Sequence, residues 1–71
     1  MLTTGITISV NGESRETKSG TTVSGLLGEM GLDAARVAVE RNLEILPRPS
    51  WPTTQVAAGD RFEIVQFVGG G

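Results

Sequence analysis

Residues 6 to 12 read Ile-Thr-Ile-Ser-Val-Asn-Gly. Apolar and polar residues alternate over the first five positions, and this period of two is typical of a strand with one buried face. Asn11 and Gly12 follow at once, and an Asn-Gly pair readily adopts the two positive φ angles of a type I′ turn. The stretch therefore predicts a β-hairpin whose second strand covers about residues 13 to 17.

An amphipathic segment follows the hairpin. Hydroxyl residues between 19 and 22 provide helix N-caps, and the apolar residues of segment 23–30 recur at i, i+3, i+4 and i+7. Gly31 is placed to end this helix in the left-handed conformation. Gly25 and Gly28 interrupt the helix, and we expect them to mark a close approach of the helix to the sheet.

The rest of the chain predicts further strands around an irregular segment. Residues 37–39 form a third strand, which residues 43–46 continue briefly. Three prolines make residues 47–54 irregular, and Trp51 among them is expected to plug the edge of the core. Residues 61–68 have the strongest strand composition and form the last strand. The predicted order is β-β-α-β-β-β, or the same with one strand fewer.

This order predicts an α+β fold in which one helix packs on a mixed sheet of four to five strands. The first and last strands should lie side by side and parallel at the sheet centre. We therefore predict a ubiquitin-like β-grasp domain over residues 1–68. The predicted core is Ile6, Ile8, Val10, Val23, Leu26, Leu27, Met30, Val39, Ile45, Val56, Phe62 and Ile64.

The amino-acid composition limits the classes of function that the chain can have. The 71 residues make one small domain and include no Cys and no His, which argues against disulfides, thiolate nucleophiles, imidazole catalysis and most enzyme classes. Six scattered basic residues and a net charge of −2 give no stripe for nucleic acid. No apolar run approaches the roughly 20 residues of a membrane span, and a signal peptide is not evident. We expect a cytoplasmic protein that is a monomer when free.

The sequence ends in three glycines directly after the predicted last strand. Because glycine has no Cβ, a flexible tail of Gly69, Gly70 and Gly71 can be threaded into a narrow site of a partner protein. The carboxylate of Gly71 would be the reactive group, once ATP has converted it to an acyl-adenylate. A frayed tail with no function is the competing interpretation.

The chain resembles the ThiS family of sulfur carrier proteins. The resemblance rests on residues 10–12, 21–27, 37–42, 45–48 and 59–71, and so covers nearly the whole chain. The Val-Glu-Arg-Asn segment at 39–42, the Pro-Arg pair and the Gly-Asp turn are more specific than the terminal glycines. Those glycines are shared with ubiquitin-like modifiers and with MoaD-type subunits of molybdopterin synthase.

The resemblance implies a carrier and not an enzyme. A ThiF- or MoeB-like adenylyltransferase would adenylate Gly71 with ATP, and a sulfur donor protein would displace AMP to leave a C-terminal thiocarboxylate. The sulfur would then pass to thiazole synthase ThiG for the thiazole ring of thiamine. No bound cofactor is implied.

Other residues suggest a docking surface and turn contacts. Val65 and Phe67 should face away from the helix if Phe62 and Ile64 face it, and an exposed apolar pair beside the tail would suit docking onto the adenylating enzyme. Asp60 is interpreted as a turn residue and not as an acid or base.

Glu40 and Arg41 are interpreted in the same way, as a solvated strand end and not as a site.

Two other functions remain open. One is a MoaD-like carrier for molybdopterin synthesis, or a modifier joined to lysines; the other is a noncovalent ubiquitin-like interaction module with an incidental tail.

Overall fold

The computed structural model describes residues 4 to 67, which form one five-stranded sheet and one α-helix. The strands are Gly5–Val10 (β1), Glu13–Lys18 (β2), Val37–Arg41 (β3), Glu44–Ile45 (β4) and Arg61–Gln66 (β5), and the helix is Val23–Glu29 (α1). Short 3₁₀ turns lie at Ala34–Arg36 and Arg48–Ser50. Val68, which was predicted to end the last strand, and the predicted tail, Gly69 to Gly71, fall outside the described residues.

The sheet is mixed, with the strand order β2-β1-β5-β3-β4. Strands β1 and β5 are parallel neighbours, and the other adjacent pairs are antiparallel. The first and last strands therefore lie together inside the sheet, as predicted. The ubiquitin-like β-grasp fold, with one helix on a mixed sheet, is confirmed.

Two tight turns connect neighbouring antiparallel strands. Between β1 and β2, Asn11 has φ 52° and Gly12 has φ 83°, the positive values that a type I′ turn requires. Between β3 and β4, Asn42 has φ 52° and Leu43 has φ 72°. This second hairpin replaces the predicted continuation of the third strand, because the chain reverses at Asn42 and Leu43.

Helix α1 begins and ends where its sequence predicts, but its glycines do not serve a close approach to the sheet. The Thr22 hydroxyl accepts a hydrogen bond from the Gly25 N–H at 3.0 Å, and Gly31 has φ 72° just after the helix. A Cβ at Gly25 would contact only the side chains of the capping turn, and one at Gly28 would meet nothing within 4 Å. The close-approach prediction is therefore wrong.

The core lies between α1 and the sheet face that carries Ile8, Val39 and Phe62. Most predicted core residues are buried, while Ile6 and Met30 are partly buried against this core. Val37, absent from the predicted core, is fully buried.

Trp51 is also buried, which agrees with its predicted position at the edge of the core. Its indole N–H donates to the Leu46 carbonyl oxygen at 2.9 Å, which satisfies the only polar group of the ring. The Arg48 guanidinium lies 4.7 Å from the centre of the ring.

The core prediction is wrong for Ile45, which is 79% exposed. Ile45 pairs with Glu40 across β3 and β4, so the two side chains share one face of the sheet. Glu40 follows the buried Val39 and therefore points away from the helix, and Ile45 points away with it.

Within the described part of the chain, no helix has the length and apolar character needed to cross a bilayer.

Candidate functional site

Two exposed apolar side chains lie at the C-terminal end of β5, just before the predicted tail. Val65 is 59% exposed and Phe67 is 54% exposed, whereas Phe62 and Ile64 are buried against the helix. Because side chains alternate along a strand, Val65 lies on the open face of the sheet. The structure thus places the pair predicted to dock a partner in solvent, and docking itself stays a prediction.

Strand β3 pairs with β5 from Phe62 to Gln66. Val65 pairs with Ala38, and Gln66 pairs with Val37. One residue beyond the strand, the Phe67 N–H still donates to the Arg36 carbonyl oxygen at 2.7 Å. On this side the backbone is therefore fixed up to the last described residue.

On its other edge β5 has only a short partner. Strand β1 pairs with β5 only at Ser9 and Val10 before the chain turns away at Asn11. There the Asn11 side chain donates to the Ile64 carbonyl oxygen at 3.1 Å and accepts from the Ile64 N–H at 2.7 Å. The amide side chain thus makes both hydrogen bonds that a strand residue would make.

A second asparagine binds the opposite end of β5. The Asn42 side chain accepts from the Arg61 N–H at 2.9 Å and donates to an Asp60 carboxylate oxygen at 3.1 Å. Its backbone N–H also donates to the Arg61 carbonyl oxygen at 2.8 Å. Asn11 and Asn42 have the same positive φ and belong to turns on the two sides of β5.

The Asp60 carboxylate ties the start of β5 to β3. It accepts from the Arg41 Nε at 2.9 Å and from the Ala57 N–H at 2.8 Å, in addition to the Asn42 amide. Burial raises the pKa of the Asp60 carboxyl, but the hydrogen bonds from Ala57, Asn42 and Arg41, with the charge of Arg41, hold that pKa below its ordinary value.

At neutral pH the Asp60 carboxylate is therefore ionised, and both of its oxygens accept hydrogen bonds. This agrees with the predicted turn role of Asp60 and not with acid–base chemistry.

The prediction of a solvated strand end holds for Glu40, which is exposed, and is wrong for Arg41, whose guanidinium binds Asp60. Within residues 4 to 67, no three acidic side chains are grouped so as to hold a metal ion.

The open face of the sheet also carries features far from the tail. Glu40 and Glu63 are paired directly across β3 and β5, and Ile45 lies beside Glu40 on β4. Leu43 is 86% exposed at the tip of the second hairpin. This hairpin lies at the opposite end of β5 from Phe67, since β3 and β5 are antiparallel.

Sequence reasoning missed the two asparagine side chains. Asn11 was interpreted only as a turn residue, and Asn42 was considered only as part of the Val-Glu-Arg-Asn segment. The hydrogen bonds of Asn11 join positions 53 residues apart, so no local pattern indicates them. The one available signal was asparagine at the first turn position, where glycine would meet the backbone requirement equally well.

Comparison with known proteins places this chain in a family. The model of the ThiS family matches residues 8–71. The chain is 53% identical over 62 residues to a thiazole synthase of Paramagnetospirillum magneticum, covering 87% of this chain and 19% of that protein. A thiazole synthase of Magnetococcus marinus is 39% identical over 64 residues, which are 90% of this chain and 20% of that protein. The chain thus spans about a fifth of the length of these two relatives.

Two further relatives match this chain over nearly their whole length. The sulfur carrier protein ThiS of Bacillus subtilis is 37% identical over 65 residues, covering 90% of this chain and 98% of that protein. The crystal structure of the thiamine biosynthesis protein ThiS from Geobacter metallireducens superposes with a TM-score of 0.76 at 33% identity, covering 93% of this chain and all of that one. The chain therefore belongs to the ThiS family, the sulfur carrier family of thiamine biosynthesis.

Proposed function

We propose that Gly71 carries the sulfur as a C-terminal thiocarboxylate. A ThiF- or MoeB-like enzyme activates the carboxylate: a carboxylate oxygen attacks the α-phosphorus of ATP, pyrophosphate leaves, and an acyl-adenylate forms. A sulfur donor protein then delivers sulfur at the oxidation level of hydrosulfide; the hydrosulfide attacks the carbonyl carbon, AMP leaves, and loss of the thiol proton gives the thiocarboxylate. Thiazole synthase ThiG takes the sulfur from the resulting thiocarboxylate.

The observation that carries this proposal is the exposed apolar pair beside the tail in a chain that matches the ThiS family through its last residue. Contiguous exposed apolar surface often marks an interaction site, and Val65 and Phe67 are the exposed large apolar residues nearest to the tail in sequence, whereas Leu43 and Ile45 belong to the hairpin at the other end of β5. Val65 and Phe67 precede Gly71 by only a few residues, so an enzyme that covers them has the carboxylate within reach. At about 3.3 to 3.6 Å per extended residue, the segment from Val68 to Gly71 spans roughly 13 Å.

Glycine suits each proposed chemical step. A side chain on the last residue would crowd the α-phosphate during adenylation and the sulfur nucleophile during displacement. Gly69 and Gly70 likewise allow the tail to pass through a narrow channel in whatever backbone conformation that channel imposes.

The names of the first two relatives support the proposed acceptor. A segment similar to this chain makes up about a fifth of two proteins that are themselves named thiazole synthase. Joining a carrier to its acceptor in one chain raises the effective concentration of one for the other. We therefore propose a thiazole synthase as the acceptor for this chain.

The proposed carrier needs no cofactor of its own. ATP is consumed by the adenylating enzyme, and sulfur comes from the donor protein, so the chain acts as a co-substrate. We propose that it is a monomer when free, and that its contacts with partners form and break during each cycle.

The role of the tail is tested by adding one alanine after Gly71. The extra residue removes the carboxylate from Gly71 and places a methyl group beside the new one, so ATP–pyrophosphate exchange with the adenylating enzyme should disappear. The protein ending at Gly71 is the control. Exchange that continues at the original rate would contradict the proposal, and it would favour a noncovalent interaction module.

The role of the exposed pair is tested with Phe67→Ala. The variant should raise the KM for the adenylating enzyme about ten-fold or more, as truncation of a buried interface aromatic does. Leu43→Ala is the matched control, because it removes a similarly exposed apolar side chain at the far end of the sheet. Equal KM values for the two folded variants would show that Phe67 is not part of the docking surface.

A further inference from the structure

The two edges of β5 are supported unequally near the tail. On one edge, β3 pairs with β5 as far as Gln66, and Arg36 accepts from the Phe67 N–H. On the other edge, the backbone of β1 stops pairing at Phe62 and the Asn11 N–H donates to the Phe62 carbonyl oxygen at 2.8 Å. The last part of β5 therefore extends beyond its backbone partner on this edge.

The Asn11 side chain takes the place of the missing strand. Its amide makes one donor and one acceptor hydrogen bond with Ile64, at 3.1 and 2.7 Å. Ile64 immediately precedes Val65. Along this edge of β5, Ile64 is the residue that the Asn11 side chain hydrogen-bonds. The contact thus lies next to the exposed pair and not at the remote end of the strand.

The turn favours asparagine at its first position but does not require it. Glycine adopts a φ of 52° without strain and would meet the requirement of the first turn position. Only a side-chain amide can offer a donor and an acceptor side by side to a neighbouring backbone. Asparagine at position 11 therefore serves β5 as well as the hairpin.

We propose that Asn11 is a positioning residue for the carrier reaction: its side chain holds the end of β5, so that Val65 and Phe67 are presented to the adenylating enzyme in one geometry. This inference rests on the proposed function. Without the amide, the end of β5 opens part of the time, and only the closed fraction is ready to bind. The apparent affinity falls in proportion to that fraction, while the bound complex reacts as before.

The expected kinetic signature is a rise in KM with little change in kcat. Two lost hydrogen bonds of ordinary net strength shift the opening equilibrium of the strand end by roughly 30-fold. For a strand end that is closed about nine-tenths of the time, the closed fraction falls to about one quarter, and we expect Asn11→Gly to raise the KM for adenylation by roughly three- to four-fold. Hydrogen exchange should become about ten-fold faster at the Ile64 amide, which loses its acceptor, and also at the Phe67 amide, which donates to Arg36 and not to Asn11 and therefore reports opening of the strand end.

Asn42→Gly is the matched control. Asn42 has the same φ, sits in the same kind of turn, and also loses two side-chain hydrogen bonds, but these bind Asp60 and Arg61 at the other end of β5. It should lower the free energy of unfolding by a similar amount while leaving the KM and the exchange of the Ile64 amide near the wild-type values. Asn11→Asp, which keeps an acceptor for the Ile64 N–H but cannot donate to the Ile64 carbonyl oxygen, should raise the KM as Asn11→Gly does.

The outcomes separate positioning from general stability. A higher KM for the two Asn11 variants alone, with faster exchange at Ile64, supports the inference. An equal rise for Asn42→Gly, or a wild-type KM for Asn11→Gly, overturns it. If the wild-type protein is not adenylated at all, the proposed function fails, and hydrogen exchange still decides whether Asn11 holds the end of β5.

Discussion

Replacing Asp60 with asparagine would test the network that anchors the start of β5. The substitution keeps the shape of the side chain and removes its charge and one acceptor. In the wild-type protein one carboxylate oxygen accepts from Asn42, and the other accepts from both Arg41 and Ala57. An amide at position 60 cannot accept all three of these hydrogen bonds.

The structure sets the size of the effect. In the less damaging orientation, the new NH₂ group faces the Asn42 amide and loses that hydrogen bond, which contributes about 1 kcal/mol. The bonds from Arg41 and Ala57 remain but lose the strengthening that the charge provides, which adds about 0.5 to 1 kcal/mol each. The free energy of unfolding should fall by about 2 to 3 kcal/mol. That is a large part of the roughly 4 to 10 kcal/mol expected for a domain of this size.

Urea unfolding at pH 7 measures this loss. With a slope of about 1 kcal/mol per molar urea, the midpoint of Asp60→Asn should fall by about 2 M. The loss should also depend on pH. Because the pKa of the Asp60 carboxyl is lower in the folded protein than its ordinary value of 3.8, ionisation favours folding, and this stabilisation disappears as the pH falls through the folded pKa. The wild type and the variant should therefore begin to converge below about pH 4 and become similar only once the pH is below the folded pKa.

Asp33→Asn provides the control for this experiment. Asp33 is exposed, caps a short 3₁₀ turn through Ala35 and lies 3.8 Å from Arg36. Asparagine caps as well as aspartate, and exposed ion pairs contribute little, so the change should be within about 0.5 kcal/mol. An Asp60→Asn midpoint within 0.5 M of the wild type at pH 7, or a difference that does not narrow in acid, would refute the reasoning about Asp60.

Three further substitutions should each raise stability, as measured by urea or thermal unfolding. Gly28→Ala should add up to about 1 kcal/mol, since a Cβ there meets no atom within 4 Å and alanine favours the helix; a loss would show a steric contact. Leu43→Gly should add about 0.5 to 1 kcal/mol by relieving a φ of 72° at a side chain that is 86% exposed, and a loss of stability would contradict the presence of backbone strain at Leu43. Glu63→Lys should add about 0.5 kcal/mol by placing a cation opposite Glu40, and 0.5 M salt should reduce that gain.

Much of the fold follows from local patterns in the sequence. The alternation before Asn11, the helical spacing after Thr22 and the composition of residues 61–66 each indicate an element without reference to the rest of the chain. Residues that were assigned to the core through these patterns are mostly buried. The parallel pairing of β1 and β5 follows from the order of the elements, since both belong to one sheet over one helix.

The misplaced residues depend on pairing between segments. Ile45 is apolar, but its direction is set by the pairing of a two-residue strand with Glu40, and no period can be read from two residues. The tight turn at Asn42 and Leu43 was missed because leucine rarely adopts a positive φ. The contacts of Asn11 with Ile64, and of Arg41 with Asp60, join residues that come together only in the folded protein.

The candidate site likewise has some features that the local sequence predicts and others that depend on distant residues. The exposed direction of Val65 and Phe67 could be predicted, because it depends only on which neighbouring residues face the helix. The hydrogen bonds that fix this strand end could not, because they come from a turn near the start of the chain. The proposed reactive residue, Gly71, was predicted from the sequence and lies outside the described residues.

The most direct test of the carrier proposal is the intact mass of the protein ending at Gly71 after incubation with ATP, a sulfur source and a ThiF- or MoeB-type enzyme. The proposal predicts a gain equal to the exchange of one oxygen atom for sulfur, mapped by fragmentation to Gly71 and absent when ATP is withheld. An unchanged mass, with the same enzyme active on another carrier, would contradict it.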